Sequence, residues 1–176
     1  MMKTRILIAI ATPILFLLSC NEVDKLLTFT IYNQSSFTIT GGFPINSPID
    51  IPTPDVTTNS TTEFSNNGTR ADLVKDVKLT ELKLTVTNPA GKTFSFLKSV
   101  QIYVSTNAND EILLASYDNV NTTSNNINLI CTTQKLDNYV RASSYKLRTK
   151  ITTKETLSQS VDVLIDMKFR VVADPI

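Results

Sequence analysis

Two loops in the middle of the sequence carry side-chain oxygen atoms at spacings that could hold a calcium ion. These oxygens belong to Asn107, Asn109, Asp110 and Glu111 in the first loop, and to Asp118, Asn119 and Asn121 in the second. Carboxylate and amide oxygens are the ligands that Ca²⁺ takes in proteins. Neither loop has the glycine and the distal bidentate glutamate of an EF-hand, and Asn and Asp also dominate ordinary turns. We therefore interpret both segments as turns, with calcium binding as the alternative.

Three basic residues, Lys146, Arg148 and Lys150, alternate along a predicted strand near the end of the sequence and could bind an anion. The link over residues 152–160 is typical of a hairpin loop. Such a hairpin would set Lys150 opposite Asp162 and Lys146 opposite Asp166. Opposite charges facing each other across a sheet stabilise it by roughly 0.2–1 kcal/mol per pair. We therefore expect a structural ladder of charges, in which exchanging Lys146 and Asp166 leaves the stability nearly unchanged.

Nucleophilic and acid–base catalysis find little support, because the chain has no histidine. That absence removes Ser-His-Asp and Cys-His chemistry, His-ligated zinc and histidine general bases. Cys131 shares the parity of Ile127 and Leu129 in an apolar run, so we expect a small buried side chain. The 16 acidic residues form no recognisable pair for glycoside hydrolysis, and no glycine-rich phosphate loop is present. The sequence therefore predicts a protein that is not an enzyme and that uses no cofactor or metal.

Tyrosines are the large amphipathic side chains available for binding, because the chain has no tryptophan. Tyr103 has outward parity in the segment Gln101-Tyr103-Ser105. A second aromatic side chain on that face would make a platform for a ligand. A lone tyrosine in this position more often covers a sheet face, and we expect that role for Tyr103.

The first 20 residues are typical of an exported protein. Lys3 and Arg5 precede an apolar run over residues 6–18, which ends at Leu17-Leu18-Ser19-Cys20. A basic start, an apolar segment and a small residue before a cleavage point make a signal peptide. The apolar run is shorter than the ~20 residues that span a bilayer as a helix. A cysteine directly after the small residue resembles the lipobox of bacterial lipoproteins.

The lipobox resemblance implies that residues 1–19 are removed and that Cys20 carries a thioether-linked diacylglycerol and an acylated amino group. Two or more acyl chains anchor a protein stably to a membrane. The expected organisation is a signal peptide over residues 1–19, a lipidated tether over 20–25 and a single domain over 26–176. The expected location is the cell envelope, with the acyl chains in the outer membrane and the domain facing the periplasm or the cell surface. Cys131 then has no disulfide partner.

Alternating apolar residues predict an all-β domain after the tether. Strands are expected at 27–32, 37–40, 77–86, 94–104, 112–116, 127–133, 145–151 and 161–171. Four prolines between Gly41 and Pro54 predict an edge strand or an extended crossover. A change of parity predicts a bulge near Thr80-Glu81. We therefore expect an antiparallel β-sandwich of about seven to nine strands.

Turns and helices are expected to be short. Turns are predicted at residues 33–36 and 88–91, and residues 57–64 favour an extended conformation. A capping box at residues 69–72 predicts one helical turn, and residues 136–140 predict another. The sandwich is expected to be Ig-like only in architecture, because the Cys-Trp-Cys core of immunoglobulin domains is absent.

The charge distribution bears on the partners of the protein. The formal net charge is +1, and no block of like charge is present. Nucleic-acid binding is therefore not expected, since it needs clustered lysines and arginines. The pattern resembles small envelope lipoproteins of Gram-negative bacteria, which implies no particular activity. We expect a non-catalytic binding or accessory module with a protein or glycan ligand; the alternative is a structural subunit of an envelope complex.

Overall fold

The computed structural model describes residues 27–176, so the predicted signal peptide, Cys20 and the tether lie outside the described residues. The described chain forms two antiparallel sheets that pack as a sandwich, with two short helices. In chain order the elements are β1 (Thr28–Ile39), β2 (Pro48–Pro52), β3 (Val56–Thr57), α1 (Ser60–Asn66), β4 (Val74–Asn88), β5 (Leu97–Ser105), β6 (Ile112–Asp118), β7 (Asn126–Asn128), β8 (Ile130–Cys131), α2 (Asp137–Arg141), β9 (Ser144–Thr153) and β10 (Val161–Ala173). The predicted β-sandwich is confirmed. The strand number is higher than expected because β3, β7 and β8 have only two or three residues each.

The first sheet has the strand order β1-β10-β4-β7, and the second has the order β2-β9-β5-β6-β8, with β3 also beside β9. The core lies between the sheets and is built from side chains at every second position. On β10 the inward side chains are Val161, Val163, Ile165, Met167, Phe169 and Val171, all at most 2% exposed. The buried side chains of β9 also match the prediction, from Tyr145 to Ile151.

The predicted bulge in β4 is confirmed. Glu81 faces Lys168 and Leu79 faces Phe169, so Thr80 is an extra residue without a Cα partner on β10. Its hydroxyl donates to the carbonyl oxygen of Lys168 at 2.9 Å. The extra residue lets the apolar side chains on both sides of it point into the core.

The predictions for two other segments are also confirmed. The proline-rich segment contains β2, which forms an edge of the second sheet. The predicted turn follows directly after Asn88: the Lys92 N–H donates to the Pro89 carbonyl oxygen at 3.1 Å, and Gly91 has a φ of 76°. Glycine suits this conformation because it has no Cβ.

The hairpin predicted between the last two strands is wrong. β9 lies in the second sheet and β10 in the first, so the link between them crosses from one sheet to the other. Leu157 in this link is buried, and its carbonyl oxygen accepts a hydrogen bond from the Gly42 N–H at 2.9 Å. Alternation shows which face of a strand is buried but not which strand lies beside it, and this is why the prediction failed.

The predicted ladder of charges therefore does not exist. Lys150 faces Gln101 and Asp50, and Lys146 faces Ser105. On the first sheet, Asp162 accepts a hydrogen bond from the Thr38 hydroxyl at 2.7 Å. Because Lys146 and Asp166 do not face each other, there is no longer a reason to expect that exchanging them leaves the stability unchanged.

The turn predicted at residues 33–36 is also wrong, because β1 runs unbroken past β10 for 12 residues. Asn33 and Gln34 form hydrogen bonds while the backbone stays extended. The Asn33 amide donates to the Tyr145 hydroxyl oxygen at 3.0 Å inside the core. The Gln34 amide donates to Asp166 at 2.6 Å on the outer face. Tertiary partners thus override the turn preference of Asn and Ser.

The segment that precedes β4 is more helical than predicted. Residues 57–64 extend only through β3 and then enter α1, whose Phe64 is buried with its ring 6.2 Å from that of Phe29. The predicted capping box is wrong: residues 71–73 form a 3-10 turn without a side-chain cap, and Thr69 donates to the Asp174 carbonyl oxygen at 2.6 Å instead. The turn predicted at 136–140 is confirmed as α2. Within residues 27–176, no helix has the length and apolar character needed to cross a membrane.

The strand predicted at residues 127–133 divides into β7 and β8, which belong to different sheets. Leu129 is buried between them, and its N–H donates to the Leu82 carbonyl oxygen at 2.9 Å. The chain therefore passes across the end of the sandwich at this point.

Candidate functional site

A groove of about 510 Å³ on the outer face of the first sheet brings together side chains from three strands. It is lined by Tyr32, Asn33, Gln34, Glu81, Lys83, Asp166, Met167 and Lys168. The side chains of Asn33 and Met167 point into the core, so the other six form the surface that we call the outer groove. Strand pairing aligns these six in two rows, with Tyr32, Lys168 and Glu81 in one and Gln34, Asp166 and Lys83 in the other.

The outer groove surrounds one exposed aromatic ring with hydrogen-bonding groups. The Tyr32 side chain is 71% exposed. The Lys168 ammonium lies 5.9 Å from the centre of the Tyr32 ring. Two lysines and two carboxylates balance in charge, and Gln34 adds an amide. This arrangement suits noncovalent contact with a polar ligand of low net charge, through stacking and hydrogen bonds.

The outer face of the second sheet carries a different cluster, centred on Arg148. Its guanidinium donates to both carboxylate oxygens of Glu111, at 2.9 Å and 2.6 Å. It also pairs with Asp50 on the edge strand β2. The same guanidinium lies 4.2 Å from the centre of the Tyr103 ring. We call these four residues the arginine clamp.

The arginine clamp does not favour the anion-binding alternative. Lys146, Arg148 and Lys150 share the outer face of β9, as predicted, but two carboxylates already neutralise Arg148. The hydrogen bonds from Arg148 hold the pKa of Glu111 below its usual value, and those to Glu111 and Asp50 raise the pKa of Arg148. The clamp therefore connects β2, β9, β5 and the residue before β6 into one surface.

Tyr103 has the outward orientation that the sequence predicts. Its ring lies under Arg148 on the sheet face, and its hydroxyl donates to the Gln101 side chain at 3.0 Å. Tyr103 therefore covers the sheet face, and none of the aromatic ring pairs among residues 27–176 includes it.

The two loops considered for calcium lie at opposite ends of β6. Seven residues of strand separate them by roughly 20 Å. Asp110 accepts hydrogen bonds from the Thr106 hydroxyl and from the Asn107 N–H, which hold its pKa below the usual value. Glu111 is bound to Arg148. In the part of the chain that the structure describes, no group of three or more His, Cys, Asp or Glu side chains could hold a metal ion.

Cys131 lies at the end of β8 and is half-buried against the core. Burial raises the pKa of its thiol, which donates a weak hydrogen bond to the Leu129 carbonyl oxygen at 3.8 Å. A raised pKa lowers the fraction of thiolate, the reactive form. The sequence predicts a small buried side chain, and the structure confirms this only in part, because Cys131 is half-buried at the edge of the core.

A polar pair inside the core escaped the sequence analysis. The Asn33 amide donates to the Tyr145 hydroxyl, which in turn donates to the Met167 sulfur at 3.6 Å. Burial raises the pKa of Tyr145. This pair joins β1, β9 and β10 across the interface between the sheets. Because all three side chains are buried beneath the floor of the outer groove, their hydrogen bonds hold the two sheets together.

No family model matches the sequence, and no curated protein matches it either. Among solved structures, the chain is similar to a chain of Desmodium yellow mottle tymovirus at 10% identity, covering 85% of this chain and 90% of that chain, with a TM-score of 0.29. It is also similar to a chain of turnip yellow mosaic virus at 13% identity, covering 85% of this chain and 96% of that chain, with a TM-score of 0.26. TM-scores this low carry no argument about the present chain.

The outer groove could not be found from the sequence because its six side chains meet only through the strand order. Tyr32, Glu81 and Lys168 are far apart along the chain, and the pairing of β1 and β4 with β10 brings them together. The local signal was the outward parity of Tyr32 between Ile31 and Asn33, which marks an exposed aromatic side chain but not its neighbours.

Proposed function

We propose that this chain is a lipid-anchored envelope lipoprotein whose β-sandwich is a non-catalytic binding or accessory module. The observation that carries the proposal is the tetrapeptide Leu17-Leu18-Ser19-Cys20 after a basic and apolar leader. β1 begins at Thr28, eight positions after the expected lipidated cysteine. A tether this short would hold the sandwich close to the membrane surface. The sandwich is Ig-like in architecture under this proposal, as two packed antiparallel sheets without the immunoglobulin core.

A binding module is favoured over a structural subunit by the character of the surface. A structural subunit would present a contiguous apolar patch of several hundred Å². In the described residues the exposed large apolar side chains are Tyr32, Ile45, Ile130 and Ile176. β1, which carries Tyr32, packs over β2, whereas Ile130 lies on β8 at the opposite edge of the second sheet, so these two side chains form no shared patch. The outer groove offers polar groups around an aromatic ring, which fits a glycan or a polar segment of a protein.

Few residues of this chain could support a catalytic role. The chain has no histidine. Lys83 and Asp166 face each other in the outer groove, and Gln34 already hydrogen-bonds this carboxylate. Nucleophilic catalysis needs a nucleophile beside a general base. The six side chains of the outer groove do not supply this pair.

Protease treatment of intact cells, following a tag placed after Ile176, tests the location. The tag should sediment with the membranes in either orientation. Rapid loss of the tag would place the domain outside the cell, and the outer groove should then be screened against glycans with Tyr32→Ala as the control variant. Protection until the outer membrane is breached would indicate an accessory module in the periplasm. A tag recovered in the cytosolic fraction would contradict the proposal.

A further inference from the structure

The free side of β1 is the feature that the proposed function leaves unexplained. β1 is an edge strand of the first sheet and pairs with β10 through 12 residues without a bulge. Its sequence, TFTIYNQSSFTI, contains no charged residue, no proline and no glycine. A long, flat, uncharged edge is a ready template for another strand, and proteins usually disrupt such edges.

The other edges are disrupted or covered. β2 carries Pro48 and Pro52, and β3, β7 and β8 have at most three residues. The part of β4 that extends beyond β7 is hydrogen-bonded by the segment that follows β8. The Leu136 N–H donates to the Val77 carbonyl oxygen at 3.0 Å, and the Val77 N–H donates to the Asp137 carboxylate at 2.7 Å.

In the described part of the chain, no comparable cover lies along β1. Among residues 27–176, the backbone groups of β1 make hydrogen bonds only to β10. In an antiparallel pair, alternate residues direct their N–H and C=O groups away from the partner. About half of the backbone groups of β1 therefore face away from the sheet and remain available to a further strand.

We propose that β1 pairs with β1 of a second copy of this chain, antiparallel and about a two-fold axis at Asn33. In a two-fold symmetric contact every residue pair occurs twice, once on each side of the axis. Because β1 has no charged residue, pairing it with β1 of a second copy brings no like charges together. An axis at Asn33 keeps the outer faces of both copies on one side. It joins the first sheets of the two copies into one eight-stranded sheet.

The side chains of β1 complement themselves in this register. Thr28 lies opposite Thr38 of the second copy, Thr30 opposite Ser36, and Tyr32 opposite Gln34. Hydroxyl pairs across a strand pairing are among the favourable combinations. The pairing also places the two outer grooves next to each other across the axis. The inference rests on the edge strand and does not depend on the lipid anchor.

Disulfide trapping tests the register. In a Cys131→Ser background, the double variant Thr30→Cys/Ser36→Cys brings the new thiols opposite each other across the axis. Within one chain these two positions are roughly 20 Å apart, which prevents an internal disulfide. Mild oxidation of the purified full chain should give a covalent dimer with the double variant. The matched single variants should not form it, because each thiol then faces a hydroxyl.

The second test measures the oligomeric state of charge variants by sedimentation velocity. Thr30→Asp/Ser36→Asp opposes like charges twice and should convert the dimer to a monomer, while Thr30→Asp/Ser36→Lys opposes unlike charges and should keep the dimer. Thermal unfolding of both variants controls for folding. A monomeric wild type, a dimer insensitive to Thr30→Asp/Ser36→Asp, or equal trapping by the single cysteine variants would overturn the proposal.

Discussion

At the scale of single residues, buried hydroxyl groups occur in two opposite situations. Thr149 is fully buried, and its hydroxyl has no hydrogen-bond partner among the described residues. Thr58 is also buried, but its hydroxyl donates to the Ala142 carbonyl oxygen at 2.5 Å. Burying a hydroxyl without a partner is unfavourable by roughly 1–3 kcal/mol, whereas a hydrogen-bonded one contributes about 1 kcal/mol.

The same substitution should therefore have opposite effects at these two positions. Thr149→Val should raise the free energy of unfolding by about 1 kcal/mol. Thr58→Val should lower it by about 1 kcal/mol, because the carbonyl of Ala142 loses its closer donor and the Ser60 N–H loses its acceptor. Urea unfolding followed by circular dichroism measures both. A loss of stability in Thr149→Val would show that its hydroxyl is bonded in solution.

Tyr145 makes the free energy of unfolding depend on pH in the alkaline range. Burial raises the pKa of its phenol above the usual value of about 10. Its contribution is therefore fully present below pH ~10 and is lost as the pH rises toward the folded-state pKa. Tyr145→Phe should unfold more readily at neutral pH, because Asn33 loses its partner, but should lose less stability than the wild type above pH ~10. Parallel curves of stability against pH for the two proteins would contradict this account.

At the scale of elements, the arginine clamp fastens the short edge strand β2 to the second sheet. Arg148→Lys keeps the charge but removes the two-point contact with Glu111 and the planar stack on Tyr103. It should lower the free energy of unfolding by about 1 kcal/mol, since the cluster is partly exposed. Lys146→Arg on the same strand is the control and should change the stability by less than about 0.5 kcal/mol.

The pH dependence gives the clamp a further check. Because the pKa of Glu111 is lowered in the folded protein, its pairing stabilises above the unfolded-state pKa and is lost as the pH falls through the folded value. The difference between wild type and Arg148→Lys should shrink below pH ~4. A constant difference between pH 7 and pH 3 would show that Glu111 does not contribute.

The elements also show what could be predicted from the sequence. Alternation identified the buried faces of β9 and β10 correctly, and a parity change located the bulge at Thr80, because both are properties of one strand. Alternation does not show which strand lies beside another in a sheet. The hairpin between β9 and β10 failed for that reason, and the turn at residues 33–36 failed because Asn33 and Gln34 find partners more than 100 positions away. The outer groove and the arginine clamp depend on strand order and were missed together.

At the scale of the whole molecule, the sandwich separates its surfaces by role. The second sheet carries the arginine clamp, the first sheet carries the outer groove, and β1 presents an uncharged edge beside that groove. β1 also follows the expected anchor most closely in the chain. Under the proposed function, anchoring would confine copies to one membrane surface and raise their effective concentration, which would favour pairing through β1.

Metabolic labelling with an alkyne-modified fatty acid tests the proposal that acyl chains on Cys20 anchor this sandwich to a membrane. The two cysteines of the chain provide a matched pair of variants, Cys20→Ser and Cys131→Ser. We expect wild type and Cys131→Ser to incorporate the label and to sediment with membranes, while Cys20→Ser does neither. An unlabelled wild-type protein, or a label that persists in Cys20→Ser, would contradict it.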